Sequence, residues 1–140
     1  MYEEAFKNID DVFWKDAGCS SELDYIEQTS WILFLKYLDD YEEEKETAAI
    51  LNGETYERII DKEFRWKEWA YPKTVEGKLN YDIALTGDDL LEFVNKELFP
   101  QLAGFKQSAE NPRSIDYKIG EIFSELRNKL QSGYSLRDVI

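Results

Sequence analysis

The sequence contains no histidine. That removes the side chain most often used as a general base and most often found as a metal ligand. It contains one cysteine, Cys19, so no intramolecular disulfide can form. No histidine stands by to activate that thiol, and an inert structural cysteine is the plain reading. The seven glycines fall singly, at 18, 53, 77, 87, 104, 120 and 133. No G-x-G-x-x-G or Walker pattern results, which excludes the familiar phosphate-cradling loops. Basic residues are scarce: 17 Lys and Arg stand against 30 Asp and Glu, for a net charge of −13. Such a chain is not built to attract DNA by itself, because phosphate binding rests on Lys and Arg. No apolar run approaches the roughly 20 residues that a bilayer requires. No basic-plus-apolar signal segment opens the chain, so a cytoplasmic location is expected.

What is present favours a packed core. The chain has 140 residues, 43% hydrophobic and 15% aromatic, which suits one domain rather than disorder. The 4 Trp, 9 Tyr and 8 Phe suggest large side chains filling gaps between helices, or anchors for a partner. The charge is uneven. Residues 1–70 carry 19 acidic and 8 basic side chains, and residues 71–140 carry 11 and 9. Residues 39–46 alone hold six carboxylates and one Lys. The plain reading of that run is a solvated helix end, and the sharper one is a docking surface for a basic partner. No pair of carboxylates stands out for acid–base work or Mg²⁺.

Residues 21–41 organise the rest. Ser21 followed by Asp24 reads as a capping box. Leu23, Ile26, Leu33 and Tyr37 form one helical series, and Trp31, Phe34 or Leu35, Leu38 and Tyr41 form another. Between Trp31 and Leu38 only Lys36 is polar, so the spacing predicts a central helix over about 22–46, packed on several sides. A first helix is predicted over 1–17 from Phe6, Ile9, Val12 and Phe13, with Ala5 and Ala17 near the same face and Gly18 as its C-terminal stop. The middle, about 52–85, reads as irregular. Asn52-Gly53 is a turn, residues 56–60 suit a short helix, and residues 64–72 hold no clean period. Thr86 with Asp88 and Asp89 starts a helix whose face is Leu90, Leu91, Val94 and Leu98, expected to stop before Pro100. Residues 114–130 form the next helix, with Ile115, Ile119, Ile122, Phe123, Leu126 and Leu130 as its stripe and Gly133 after its end. Ser135 with Asp138 is a second capping box. The sequence finishes two residues later, as if cut from a longer protein.

Two sets of cations are candidate DNA or partner contacts. Arg65 and Lys67 interleave with Trp66 and Trp69, with Lys73 near by, the composition of a base-stacking patch. The plainer reading is two core tryptophans with cations snorkelling beside them. Lys106, Arg113, Lys118 and Lys129, with Arg127 and Arg137, make residues 105–140 the least acidic segment. Asn111-Pro112-Arg113 reads as a turn before a helix.

Beyond pattern and charge, residues 30–39, Ser-Trp-Ile-Leu-Phe-Leu-Lys-Tyr-Leu-Asp, resemble the "FLKYLSD" helix that opens the M (modification) subunit of type I restriction-modification systems. Arg65-Trp66, Trp69-Ala70, residues 85–90 (Leu-Thr-Gly-Asp-Asp-Leu), Phe93-Val94 and residues 97–102 (Glu-Leu-Phe-Pro-Gln-Leu) look like the continuation of that domain. Residues 134–140, Tyr-Ser-Leu-Arg-Asp-Val-Ile, look like the segment leading on towards a methyltransferase domain. The resemblance implies a subunit that methylates adenine N6 in DNA with S-adenosylmethionine. It implies as partners the chain's own C-terminal catalytic domain, a specificity subunit, a restriction subunit, a second M subunit and DNA in the assembled complex. The family's cofactor glycines and Asn-Pro-Pro-aromatic motif have no counterpart here, since Arg113 stands where the second Pro would be. No catalytic, cofactor-binding or metal-binding residue is therefore carried over.

The expectation is an all-α, compact multi-helix bundle over 1–140, a single helical domain at the front of a longer methyltransferase subunit. It would serve complex assembly and closure around DNA rather than catalysis. The alternative is a stand-alone acidic protein-binding adaptor or DNA-mimic inhibitor, suggested by the charge.

Overall fold

The computed structural model describes residues 2–16, 18–80 and 83–140; the side chains of Tyr2, Tyr134, Ser135 and Asp138 lie outside the description. Eight α-helices are described: α1 (Tyr2–Lys15), α2 (Glu22–Leu51), α3 (Trp66–Trp69), α4 (Gly87–Phe93), α5 (Phe99–Ala103), α6 (Phe105–Ser108), α7 (Ile115–Glu125) and α8 (Gly133–Val139). A 3₁₀ turn covers Lys62–Phe64 and a π-helical turn covers Val94–Leu98. Among the described residues there is no strand, only an isolated antiparallel bridge between Lys73 and Leu79. The expected all-α class is what the chain adopts. It divides into two compact units, Met1–Thr29 with Thr86–Val139, and Ser30–Leu85 with Ile140.

The central helix begins at Glu22, where the capping box placed it. Asp24 donates its N–H to Ser21 Oγ at 3.3 Å, and the Asp24 carboxylate accepts from Ser20 N at 2.9 Å. It runs for 30 residues, about 45 Å at 1.5 Å per residue, and passes the expected end at 46. It stops where Asn52-Gly53 turns the chain, with Gly53 at φ 73°. Only one of the two predicted stripes is inside. Trp31, Ile32, Leu35 and Leu38 are buried, whereas Leu23, Ile26, Leu33 and Tyr37 are exposed. The buried stripe continues through polar residues instead: Asp24 and Gln28 before it, Asp39 and Glu42 after it. A hydrophobicity count assigns those four to solvent. The structure uses them as hydrogen-bonding groups inside.

In the first unit the core is a ladder at i, i+4 spacing. Leu90, Val94, Leu98 and Leu102 are each 0% exposed. The helix does not stop before Pro100. It runs through to Ala103, with the π-helical turn immediately before Phe99. Proline lacks the N–H that an α-helix uses and its ring crowds the carbonyl four residues back, and a widened turn absorbs both. Against this ladder lie Ile119 and Phe123 of α7, with the Phe99 and Phe123 rings edge to face at 5.1 Å. Helix α7 ends at Glu125, not at 130, and its expected stripe is only partly inside: Ile115 and Ile122 are exposed. Leu130 is buried from non-helical chain. Gly133 starts α8 rather than ending α7, two residues before Ser135, and the Ser135 and Asp138 caps lie outside the described side chains. On α1, Phe13 is buried and Phe6 is exposed; Met1 and Ala17 lie outside the described residues.

In the second unit, residues 54–60 form no helix, contrary to expectation. Trp66 and Trp69 are buried and meet edge to face at 5.5 Å, and Trp69 Nε1 donates to the Phe64 carbonyl at 3.1 Å. They are core tryptophans, not a stacking platform. Tyr81 and Asp82 lie outside the described residues.

Helices α4 and α8 approach at a glycine pair. A Cβ on Gly133 would lie 1.6 Å from the Gly87 carbonyl oxygen. We expect Gly133→Ala to cost about 1–3 kcal/mol, the range of core overpacking. A thermal melt checks this: a midpoint several degrees lower supports the contact, and an unchanged midpoint rejects it.

Candidate functional site

Backbone groups outside regular structure must still find partners when buried. In the first unit, residues 126–132 are a part-buried segment of this kind: Asn128 Oδ1 accepts Leu130 N at 3.1 Å within it, and Gln28 and Asp16 reach its backbone from outside. Gln28, 0% exposed, donates from Nε2 to the Arg127 carbonyl at 3.0 Å and accepts the Lys129 N–H on Oε1 at 3.1 Å. Its amide behaves like a piece of neighbouring strand. The buried Asp16 carboxylate accepts from Gln131 N at 2.9 Å and Ser132 N at 3.1 Å, just ahead of α8, and from Gly18 N at 2.8 Å. Gly18 lies beyond the end of α1, and a Cβ there would sit 1.5 Å from the Lys129 carbonyl oxygen. Close approach therefore requires that glycine. Asp24 takes the Lys129 ammonium at 2.5 Å, with Glu27 at 3.6 Å on the same cation.

The second unit repeats the device. Glu42, 1% exposed, accepts Ile59 N at 2.5 Å and Ile60 N at 3.3 Å, and the Tyr56 hydroxyl donates to it at 3.3 Å. Asp39 accepts Lys67 N at 3.3 Å and pairs with Arg58 at 3.4 Å, which also holds Glu46 at 3.0 Å. Burial pushes the Asp39 carboxyl upward, while Lys67 and Arg58 pull it back. The acidic run 39–46 is thus not uniformly a solvated end. Asp39 and Glu42 are internal acceptors, and Asp40, Glu43 and Glu44 remain exposed.

The candidate cations separate into two groups. Three are committed within the chain. Arg65 Nε donates to the Ile60 carbonyl at 3.0 Å, the Lys67 ammonium pairs with Glu43, and Lys129 holds Asp24. Lys106, Arg113 and Lys118 are exposed and make no ion pair among the described residues. All three lie on the α6–α7 hairpin. Its turn is shaped by Asn111, whose Oδ1 accepts Arg113 N at 2.9 Å, and by Ser114, which caps α7 by accepting Tyr117 N at 3.4 Å. Gly120 lets the two helices close, since a Cβ there would lie 2.2 Å from Lys106 N. Sequence reasoning found these cations but could not tell which were already paired.

The Cys19 thiol is raised to about 11, first by burial and then by Asp16 and Asp24, so it stays protonated near neutrality. Among the described residues no group of three or more His, Cys, Asp or Glu is placed to hold a metal, and no helix is long and apolar enough to cross a membrane.

Asp24 is held at about 2, chiefly by the Lys129 ammonium and then by Ser20. Its folded value lies below the ordinary 3.8. Ionised Asp24 therefore stabilises the fold fully above about pH 4, and that contribution is lost as pH falls towards 2. Unfolding midpoints of the wild type and Asp24→Asn should differ near neutrality and converge as the pH approaches 2. A gap independent of pH would contradict the pairing. Removing the internal amide by Gln28→Ala should cost about 1–3 kcal/mol in denaturant unfolding, because Lys129 N loses its acceptor.

The sequence matches the HsdM N-terminal domain family over residues 3–140. It is 37% identical over 135 residues to the type I restriction enzyme EcoEI methylase subunit of Escherichia coli, covering 96% of this chain and 24% of that protein. The structure is similar to the modification subunit of a putative type I restriction enzyme from Vibrio vulnificus YJ016, with a TM-score of 0.81, 29% identity, and coverage of 98% of this chain and 28% of that one. It is also similar to a chain solved in work on complex assembly and conformational transition of the type I R-M system. There the TM-score is 0.69 and the identity 32%, over 99% of this chain and 24% of that one. The chain thus spans about a quarter of the length of these relatives.

Proposed function

Because the chain belongs to the HsdM N-terminal domain family, we propose that it is the assembly and DNA-closing domain of an adenine-N6 DNA methyltransferase subunit, and that Lys106, Arg113 and Lys118 are its phosphate contacts. The observation that carries this reading is the match over residues 3–140 to a domain of type I modification subunits several times longer. The methyl donor, S-adenosylmethionine, and the reacting groups belong to residues outside 1–140, in the catalytic domain of the same subunit. The specificity and restriction subunits and a second modification subunit complete the assembly.

The electrostatics support a limited DNA role. A net charge of −13 opposes broad phosphate binding, so contact with DNA is confined to a few cations on one hairpin. The stand-alone acidic-adaptor alternative is not favoured, because residues 3–140 match a domain of type I modification subunits; of its acidic run, Asp39 and Glu42 are also engaged inside the protein.

The experiment is made on the full-length subunit in its complex. Deleting residues 1–140 should abolish assembly or adenine methylation, and intact methylation would end the proposal. Replacing Lys106, Arg113 and Lys118 together by Ala should preserve assembly, weaken DNA binding, and lower the salt slope by about 1 per cation lost. An unchanged slope would remove the hairpin from the DNA contact.

A further inference from the structure

Helices α1 and α2 leave a groove of about 450 Å³ between them in the first unit. Asp10, Asp11 and Trp14 line one wall, and Glu22, Tyr25 and Ile26 line the other. Apolar side chains on and beside its walls stand well out into solvent. Trp14 is 78% exposed, Ile26 62%, and Leu23, one turn from Ile26, 63%. An indole so far out in solvent gains from being covered, and Trp is enriched among the anchors of protein interfaces. The groove is shaped from below. Phe13, 0% exposed, meets the Tyr25 ring at 5.9 Å and fixes where the two helices diverge.

Charge chooses the occupant. Asp10, Asp11 and Glu22 are exposed at the rim, and none makes an ion pair among the described residues. The Tyr25 phenol is raised, first by burial and then by charges that include Asp10 and Glu22, so the carboxylates are felt inside the groove. Nucleic acid is repelled by such a rim. A second copy of the chain brings a net charge of −13 of its own. A cationic segment gains twice: its Lys or Arg reaches the carboxylates and the face of the indole, and its apolar side meets Trp14 and Ile26.

We propose that the α1–α2 groove is the docking surface for an amphipathic helix of a partner protein that carries Lys or Arg beside leucine-like residues. The proposal rests on the assembly reading above and adds to it the place and chemistry of one protein–protein contact. Trp14 is the central anchor, and the three carboxylates set selectivity and speed of encounter.

The test uses the full-length subunit and a fluorescently labelled helical peptide with leucine on one face and lysine on the other. Anisotropy should show saturable, salt-sensitive binding. Trp14→Ala should weaken it about tenfold or more, as loss of an interface anchor does. The combined Asp10→Asn, Asp11→Asn, Glu22→Gln variant should weaken it and flatten its salt dependence. A matching leucine–glutamate peptide should not bind. These side chains are exposed, so an unchanged melting midpoint is expected for each variant, and Ile26→Ser supplies a second apolar probe. Equal binding by wild type and variants would overturn the proposal. So would an absence of peptide binding, whether because another part of the subunit covers the groove or because a second copy occupies it. In those cases the outcome of deleting residues 1–140 is unaffected, and the assembly reading stands or falls on it alone.

Discussion

Both units depend on one constraint: chain that is neither helix nor strand lies part-buried against the rest of its unit, and its N–H groups need acceptors. Helix α2 supplies many of them. Its buried stripe places Trp31, Ile32, Leu35 and Leu38 between two polar pairs, Asp24 with Gln28 and Asp39 with Glu42. In one unit Gln28, joined by Asp16, holds residues 127–132; in the other Glu42 and Asp39 hold residues 59, 60 and 67. An unmet buried N–H costs about 1–3 kcal/mol, comparable to a large share of a domain's net stability. These side chains therefore decide where the irregular segments lie. They leave no buried side-chain polar atom without a partner among the described residues.

That constraint also explains what was legible in the sequence. The start of α2 was readable because capping is local: Ser21 and Asp24 make their bonds within one turn. The all-α class and the Leu90–Val94–Leu98 face were readable because periodicity is local too. The end of α7 was not. Leu126 and Leu130 continue the helical spacing, but Gln28 and Asp16, about a hundred residues away in sequence, take over the backbone there. The acidic run misled for the same reason. Composition cannot distinguish a carboxylate in water from one accepting Ile59 and Ile60 N–H. Pro100 misled because a π-helical turn can carry a helix past a proline. The exposed stripe of α2 misled because apolar spacing reports a face, not whether anything within the same chain covers it.

The candidate contacts follow the same logic. Among the cations singled out by sequence, Arg65, Lys67 and Lys129 are engaged in holding the chain, whereas Lys106, Arg113 and Lys118 stand exposed on one hairpin. The exposed acids and the exposed indole gather elsewhere, between α1 and α2. The first unit thus carries exposed cations on the α6–α7 hairpin and exposed carboxylates with an indole between α1 and α2.

Amide hydrogen exchange measured residue by residue tests the central claim most directly. If internal side chains hold the irregular segments, the amides of Ile59, Ile60, Lys129, Gln131 and Ser132 should exchange as slowly as those of the buried helical residues Val94 and Leu98. Exchange of these five at the rate of an exposed turn such as Gly53 would contradict the claim. The side chains of α2 and Asp16 would then not be what holds the irregular chain in place.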